Sequence, residues 1–346
     1  MKTQKFSLII AALLIICTNS LMAQYTKTVN KSWGINEIET LVVENKFGHI
    51  NIVNTNTETI KMDITLEIKN LSGSKAGYLA NQIRFNINLN NKTLSAKTIF
   101  NEDFKTNQEF SIVYDIQIPK NKNLDITNRY GNVTMADLNA KGNFDISYGN
   151  IQGGDLLSPQ NENIRIKVSY GNAGFNSINQ TNAQIKYGKL TVENIETALL
   201  NTEYSIIKIN KLGKANVNSK YDHYDIDKAT TLYIESKFTS WNIETLDESI
   251  AIDTQYGNLS INNVSHQFNQ IDIENSYGNI SVAMPYDASY YLEGECYYCN
   301  IKHHEAELEQ KTTENNRTYL KGKVGQANTE AHVKVRSRYG KVNLSK

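Results

Sequence analysis

Residues 183–239 read AQIKYGKLTVENIETALLNTEYSIIKINKLGKANVNSKYDHYDIDKATTLYIESKFT, and within them Tyr187, Tyr204, Tyr221 and Phe238 follow one another at intervals of 17. The signature continues in both directions. An aromatic followed by glycine stands at Phe47, Tyr130, Tyr148, Tyr170, Tyr187, Tyr256, Tyr277 and Tyr339. Tyr204, Tyr221 and Phe238 keep the aromatic but carry Ser205, Asp222 and Thr239 in the glycine place. From Tyr130 to Tyr277 the gaps are 18, 22, 17, 17, 17, 17, 18 and 21, and a further 21 reaches Tyr298, where Cys299 replaces the glycine. Self-similarity at a short fixed period marks a solenoid.

Counting each aromatic as zero, apolar residues recur at minus six and minus four, as in Leu232 and Ile234, and at plus three, plus five and plus eight, as in Leu190, Val192 and Ile195. Strand side chains alternate, so these positions share an inner face, and each step of three marks a corner. Minus two is small and polar in most coils. This phase puts the aromatics inside as well, in one buried ladder of Phe47, Tyr130, Tyr148, Tyr170, Tyr187, Tyr204, Tyr221, Phe238, Tyr256, Tyr277, Tyr298 and Tyr339. It also places Tyr224 and Trp241 in the core. Gly at plus one and Asn at plus two tolerate positive φ, which suits a corner. Seventeen residues cannot hold a strand and a crossover helix, so the coils are expected to stack as parallel strands about 4.8 Å apart. The expected fold is all-β, a single-stranded parallel β-solenoid.

Residues 1–23 form a secretory signal peptide: Lys2 and Lys5, an apolar run from Leu8 to Ile16, and a cleavage point after Ala23. Residues 24–120 lose the rhythm and show longer alternating strands from Ile60, Ile83 and Phe110, read as an N-terminal β region that caps the open strand edges. Residues 121–346 carry the solenoid, interrupted by a polar protruding hairpin or loop at about 305–330. No later apolar run is long enough to span a membrane.

Lys plus Arg and Asp plus Glu both number 36 in 346 residues, so no global field draws the chain to nucleic acid or anionic lipid. Export leaves Cys296 and Cys299, too few for a disulfide scaffold. A redox reading of this C-x-x-C needs a helix start, and a zinc reading needs His303 or His304 beside a second cysteine pair. The simpler reading places Cys296 inside as a small residue and Cys299 at a corner, free or in a local disulfide.

A signal peptide, a strand region ending in VYDIQIPKNKNLDI and serial coils of the TNRYGNVTM and ENSYGNISV kind resemble the bacterial adhesin-type β-solenoid families of unknown function. The auto-transporter-adhesin head-domain group is among them. The resemblance implies adhesion at a bacterial envelope and brings no catalytic, metal or cofactor residues.

Enzymes on related folds cleave acidic polysaccharides with clustered acids or bases on one face. Arg165-Ile166-Lys167 is the one echo, and Asp145, Asp225 and Asp253 read as separate outward residues. The plus-two asparagines and the basic minus-one column of Lys46, Arg129, Lys186, Lys220, Lys237 and Arg338 are read as corner chemistry and solubilising charge. The leading expectation is a non-catalytic exported protein of a Gram-negative envelope, in the periplasm or on the surface. It would engage an unknown glycan or envelope protein through an elongated face, with no cofactor. A polysaccharide lyase or hydrolase and a periplasmic structural or regulatory partner are the alternatives.

Overall fold

The computed structural model describes residues 24–325 and 329–345. The export signal read at 1–23 lies outside the described residues. The chain is a parallel β-solenoid whose coils each follow one bent strand path. In Lys189–Glu203 the buried residues are Leu190, Val192, Ile195, Ala198, Leu200 and Thr202, two apart on a face and three apart at a bend. The strands Asn172–Lys186, Lys189–Glu203, Ile206–Lys220, His223–Lys237 and Ser240–Gln255 pair in parallel, each residue beside its counterpart one repeat later. Ile178, Ile195, Leu212, Ala229 and Leu246 thereby form one column of the core. A register shift after Ala229 absorbs the extra residue of the 18-residue gap. The longer gaps go into loops between Leu156 and Ile164 and between Ile261 and Gln270.

The corner differs from the sequence expectation in two ways. All twelve aromatics have φ between 50° and 65°, the left-handed region that costs a side-chain-bearing residue about 1–2 kcal/mol. That conformation turns the chain and swings the ring out. The minus-two residue before it stays inside, as Thr202, Ser219 and Ser236 do, while the ring does not. Positive φ therefore belongs to the aromatic, and among the plus-one corner glycines only Gly48 shares it. The glycines answer a different need. A Cβ on Gly171 would lie 1.8 Å from the Gly149 carbonyl oxygen, and one on Gly188 would lie 1.9 Å from that of Gly171. Where Ser205, Asp222 and Thr239 carry a Cβ, the Ile206, His223 and Ser240 amides donate to the plus-one carbonyl of the preceding coil at 3.0–3.1 Å. The plus-two asparagines tie the corners together, Asn150 N to Asn132 Oδ1 and Asn172 N to Asn150 Oδ1, both at 2.9 Å.

At the N-terminal end, Thr40–Lys46 and Ile50–Asn54 form the first coil and pair inward with Asn123–Arg129 and Val133–Met135. Outward they are covered by Thr93–Phe100 and Phe110–Ile118, parallel strands of the inserted segment. That segment continues as antiparallel pairs, Thr59–Lys69 with both Phe110–Ile118 and Gln24–Gly34, and Ile83–Asn90 with Thr93–Phe100. It also contains a helix, Gly73–Asn81, which the strand-minded reading missed; Ala76, Leu79 and Ala80 bury its inner face. At the other end the spatial order departs from chain order. His332–Arg338 lies between Gln270–Ser276 and Tyr290–Tyr297, so the Tyr339 coil fills the place next to Tyr277 and the Tyr298 coil is outermost. The interruption is a hairpin, Ala306–Glu314 and Arg317–Val324, turning at Asn315 and Asn316, both with positive φ, as a tight hairpin turn requires. Its second strand pairs antiparallel with Tyr290–Tyr297.

Gly171→Ala is expected to cost about 3 kcal/mol or more, because backbone must move to admit the methyl group. Gly77→Ala, where nothing lies within 4 Å of the added Cβ, should raise stability by about 0.5–1 kcal/mol. Urea unfolding midpoints of the two variants check both.

Candidate functional site

The left-handed corners align the rings in one column on the outside of the solenoid. In space the order is Phe47, Tyr130, Tyr148, Tyr170, Tyr187, Tyr204, Tyr221, Phe238, Tyr256, Tyr277, Tyr339 and Tyr298. Successive centroids are 4.7–5.2 Å apart and successive planes within 13° of parallel. Eleven such steps make a ridge about 50 Å long at the strand spacing. From Tyr130 onward every ring is 44–57% exposed, so the ladder exists but is external, not the buried one that alternation implied. Phe47 closes one end against the edges of Phe100 and Phe110. Within the column each ring's faces are covered by its neighbours, and what meets solvent is the ring edge and, on the tyrosines, the hydroxyl.

Beneath the middle of the ridge lies a polar cluster made by the three successive corners at Ser205, Asp222 and Thr239, which lack glycine. Asp222 is buried and accepts from Thr202 Oγ1 and Ser219 Oγ, each at 2.6 Å, and from the amides of Ser205 at 2.7 Å and Lys220 at 3.0 Å. Loss of water around the carboxylate pushes its pKa up, against the lowering effect of these four donors. The Tyr224 hydroxyl bonds Thr202 at 2.7 Å, and its ring stacks on Trp241 at 4.0 Å. Trp241 Nε1 donates to Ser236 Oγ at 3.1 Å. Both large rings are core residues, at 0% and 2% exposure.

Of the other sequence candidates the structure joins Cys296 to Cys299 and leaves the histidines and the acids of different coils in separate places. Cys296 is buried at minus two and Cys299 occupies the glycine place; the two are joined as a disulfide with Cα atoms 5.5 Å apart. His303 Nδ1 contacts the His304 carbonyl at 2.6 Å, and the His304 ring meets the edge of Tyr286. Among the described residues no group of three or more His, Cys, Asp or Glu is placed to hold a metal. Asp145 pairs with Lys167 at 2.9 Å, while Asp225, on a different face, meets Lys208 at 3.4 Å and His223 at 3.1 Å. Asp253 lines a shallow groove with Glu235, Asp272, Glu274 and Tyr233. Arg165 and Lys167 point outward on either side of buried Ile166. Among the described residues no helix is long and apolar enough to cross a membrane.

Tyr204→Ala removes ring contacts at 4.7 and 5.0 Å from a half-exposed site. The expected cost is about 1–2 kcal/mol, below the roughly 3–5 kcal/mol of a buried aromatic truncation; a loss of the larger size in urea unfolding would return the ring to the interior. Asp222 gives a second test. A carboxyl whose pKa is raised by folding contributes stability below its unfolded pKa, near 3.9, and loses it as pH rises through the folded value. Asp222→Asn should therefore gain stability relative to the parent as pH rises from about 4 to 7, measured as the difference between their thermal midpoints.

The profile of the Toastrack DUF4097 family matches residues 38–345. No curated protein matches the chain. Among solved structures, a candidate cell adhesion protein from Clostridium sporogenes aligns at 9% identity and TM-score 0.22, covering 93% of this chain and 99% of that one. A candidate adhesin from Bacteroides fragilis aligns at 13% identity and TM-score 0.31, covering 74% of this chain and 96% of that one. A candidate lipid-binding protein from Parabacteroides distasonis aligns at 11% identity and TM-score 0.33, with the same 74% and 96% coverage. At these TM-scores the similarity is too loose to bear on function.

Proposed function

Because the chain belongs to the Toastrack DUF4097 family, we propose for it a non-catalytic, adhesin-like role: an exported binding or scaffold module of a Gram-negative envelope. The exposed aromatic column carries this reading. Soluble monomers rarely leave a contiguous apolar patch larger than a few hundred Å² in water, and larger patches mark interaction sites. Here eleven rings stand 44–57% exposed in one unbroken line. Stability alone does not ask for tyrosine at every corner, since Asn and Gly accept the left-handed turn at lower cost. A rigid ridge on a stack of parallel strands is also pre-organised, so little conformational entropy is lost when a partner lies along it.

Replacing three central rings by a small polar residue, Tyr187→Ser with Tyr204→Ser and Tyr221→Ser, is expected to abolish retention of the purified protein on isolated cell envelopes while the far-ultraviolet circular dichroism of the β-sheet is kept. Unchanged retention would move the interaction elsewhere on the molecule, and release of new sugar ends from envelope polysaccharide would replace the non-catalytic role by an enzymatic one. Protease treatment of intact against permeabilised cells separates a surface position from a periplasmic one.

A further inference from the structure

We infer that the ridge is a binding track for an extended carboxylated polysaccharide. The inference rests on the ridge being the interaction surface and adds the chemistry of its ligand. The chain as a whole has a formal net charge of zero, yet the charged residues in the two columns bordering the rings are, with one exception, basic. The minus-one column holds Lys46, Arg129, Lys186, Lys220, Lys237 and Arg338 against one carboxylate, Glu203. The plus-two column adds Lys189 and Lys341 and no acid. Lys186 holds Glu203 at 2.9 Å, and among the described residues the other cations of these columns have no ion-pair partner. Seven positive charges are thus uncompensated along one edge of a neutral protein, a segregation that attracts a linear polyanion.

The rings indicate which polyanion. Within the column their faces are closed by neighbours at 4.7–5.2 Å, so no base can stack there, and the row of open ring faces that single-stranded nucleic acids depend on is missing. A lipid surface calls for an apolar face that inserts, which a ridge one ring wide, with basic residues recurring on one side and asparagines on the other, does not provide. What the ridge presents is the positive edge of each ring quadrupole, a phenol hydroxyl donor and, beside them, ammonium groups. All three favour a carboxylate. The ring edges recur once per coil, about every 4.8 Å, with a hydroxyl on ten of the twelve, so a linear polymer with one acid group per sugar meets donors repeated along its own axis. The track is densest from Tyr187 to Phe238. Lys186, Lys189, Lys220 and Lys237 lie there, and the next outward column is uncharged at Gln184, Asn201 and Asn218. That column turns acidic at Glu235, Asp253 and Glu274, which sets the far limit of the track.

The test is binding of the chain without its export signal to polygalacturonate at low and high salt, beside neutral dextran and an oligothymidylate. Polygalacturonate should bind best, and added salt should weaken it. The variant Lys186→Gln/Lys220→Gln/Lys237→Gln should bind roughly tenfold more weakly, three exposed charge contacts of about a factor of two each. Tyr187→Phe/Tyr204→Phe/Tyr221→Phe keeps the stacked rings and should still lose affinity by a few-fold for want of the hydroxyls. Absence of binding to polygalacturonate, equal binding of dextran or oligothymidylate, or an unchanged lysine variant overturns the inference. If the triple serine variant still loses envelope retention in that event, the ridge remains the interaction surface and only the carboxylated ligand is withdrawn.

Discussion

The left-handed turn at the aromatic is the constraint on which the rest of the structure depends. With φ near 55° at Tyr148, Tyr170, Tyr187 and their counterparts, the chain turns a corner and a coil closes in about seventeen residues. The turn brings the next backbone so near the last that a Cβ at the following position would sit about 2 Å from a carbonyl oxygen, and this dictates glycine. It also throws the ring outward into register with the rings above and below. The conformational cost at each corner, about 1–2 kcal/mol, is offset by one ring-to-ring contact per coil, worth about 0.5–1.5 kcal/mol beyond area burial, and by the continuous ladder of strand hydrogen bonds.

Where glycine is absent, the stack finds another solution. Asp222 and Thr239 turn their side chains inward and meet Thr202 and Ser219, and Ser205 donates its amide to Asp222, so three successive corners share one hydrogen-bonded interior. A carboxylate there is tolerated because four donors converge on it, two of them backbone amides. The interior beneath the middle of the ridge is therefore held by directional bonds, while the flanks of the coil are held by Ile, Leu and Val packing.

Much of this was legible in the residues. The period of Tyr187, Tyr204, Tyr221 and Phe238 marks the solenoid, and the spacing of Leu190, Val192 and Ile195 marks the bends. The side on which the rings lie was not. From minus two to plus three the inward positions are five apart, an odd interval that alternation cannot cross without a break, and spacing alone does not say whether the aromatic falls before or after it. The backbone angle decides, and a bulky residue is a poor advertisement for positive φ. The basic columns were visible as letters, but their meaning changed once the rings between them proved to face water. Chain order hid the place of Tyr339, because parallel strands of similar pattern accept neighbours without regard to when they occur.

That misplaced coil bears on how the molecule is assembled. As the chain folds from its N-terminal side, the coils up to Tyr277 can be laid down one upon another, each templated by the strand just finished. The next berth in the stack must then stand vacant while Tyr290–Tyr297 and the hairpin pass, until His332–Arg338 slides in between two surfaces already made. The coil of His332–Arg338 is thus a keystone, late in sequence yet seated inside the stack.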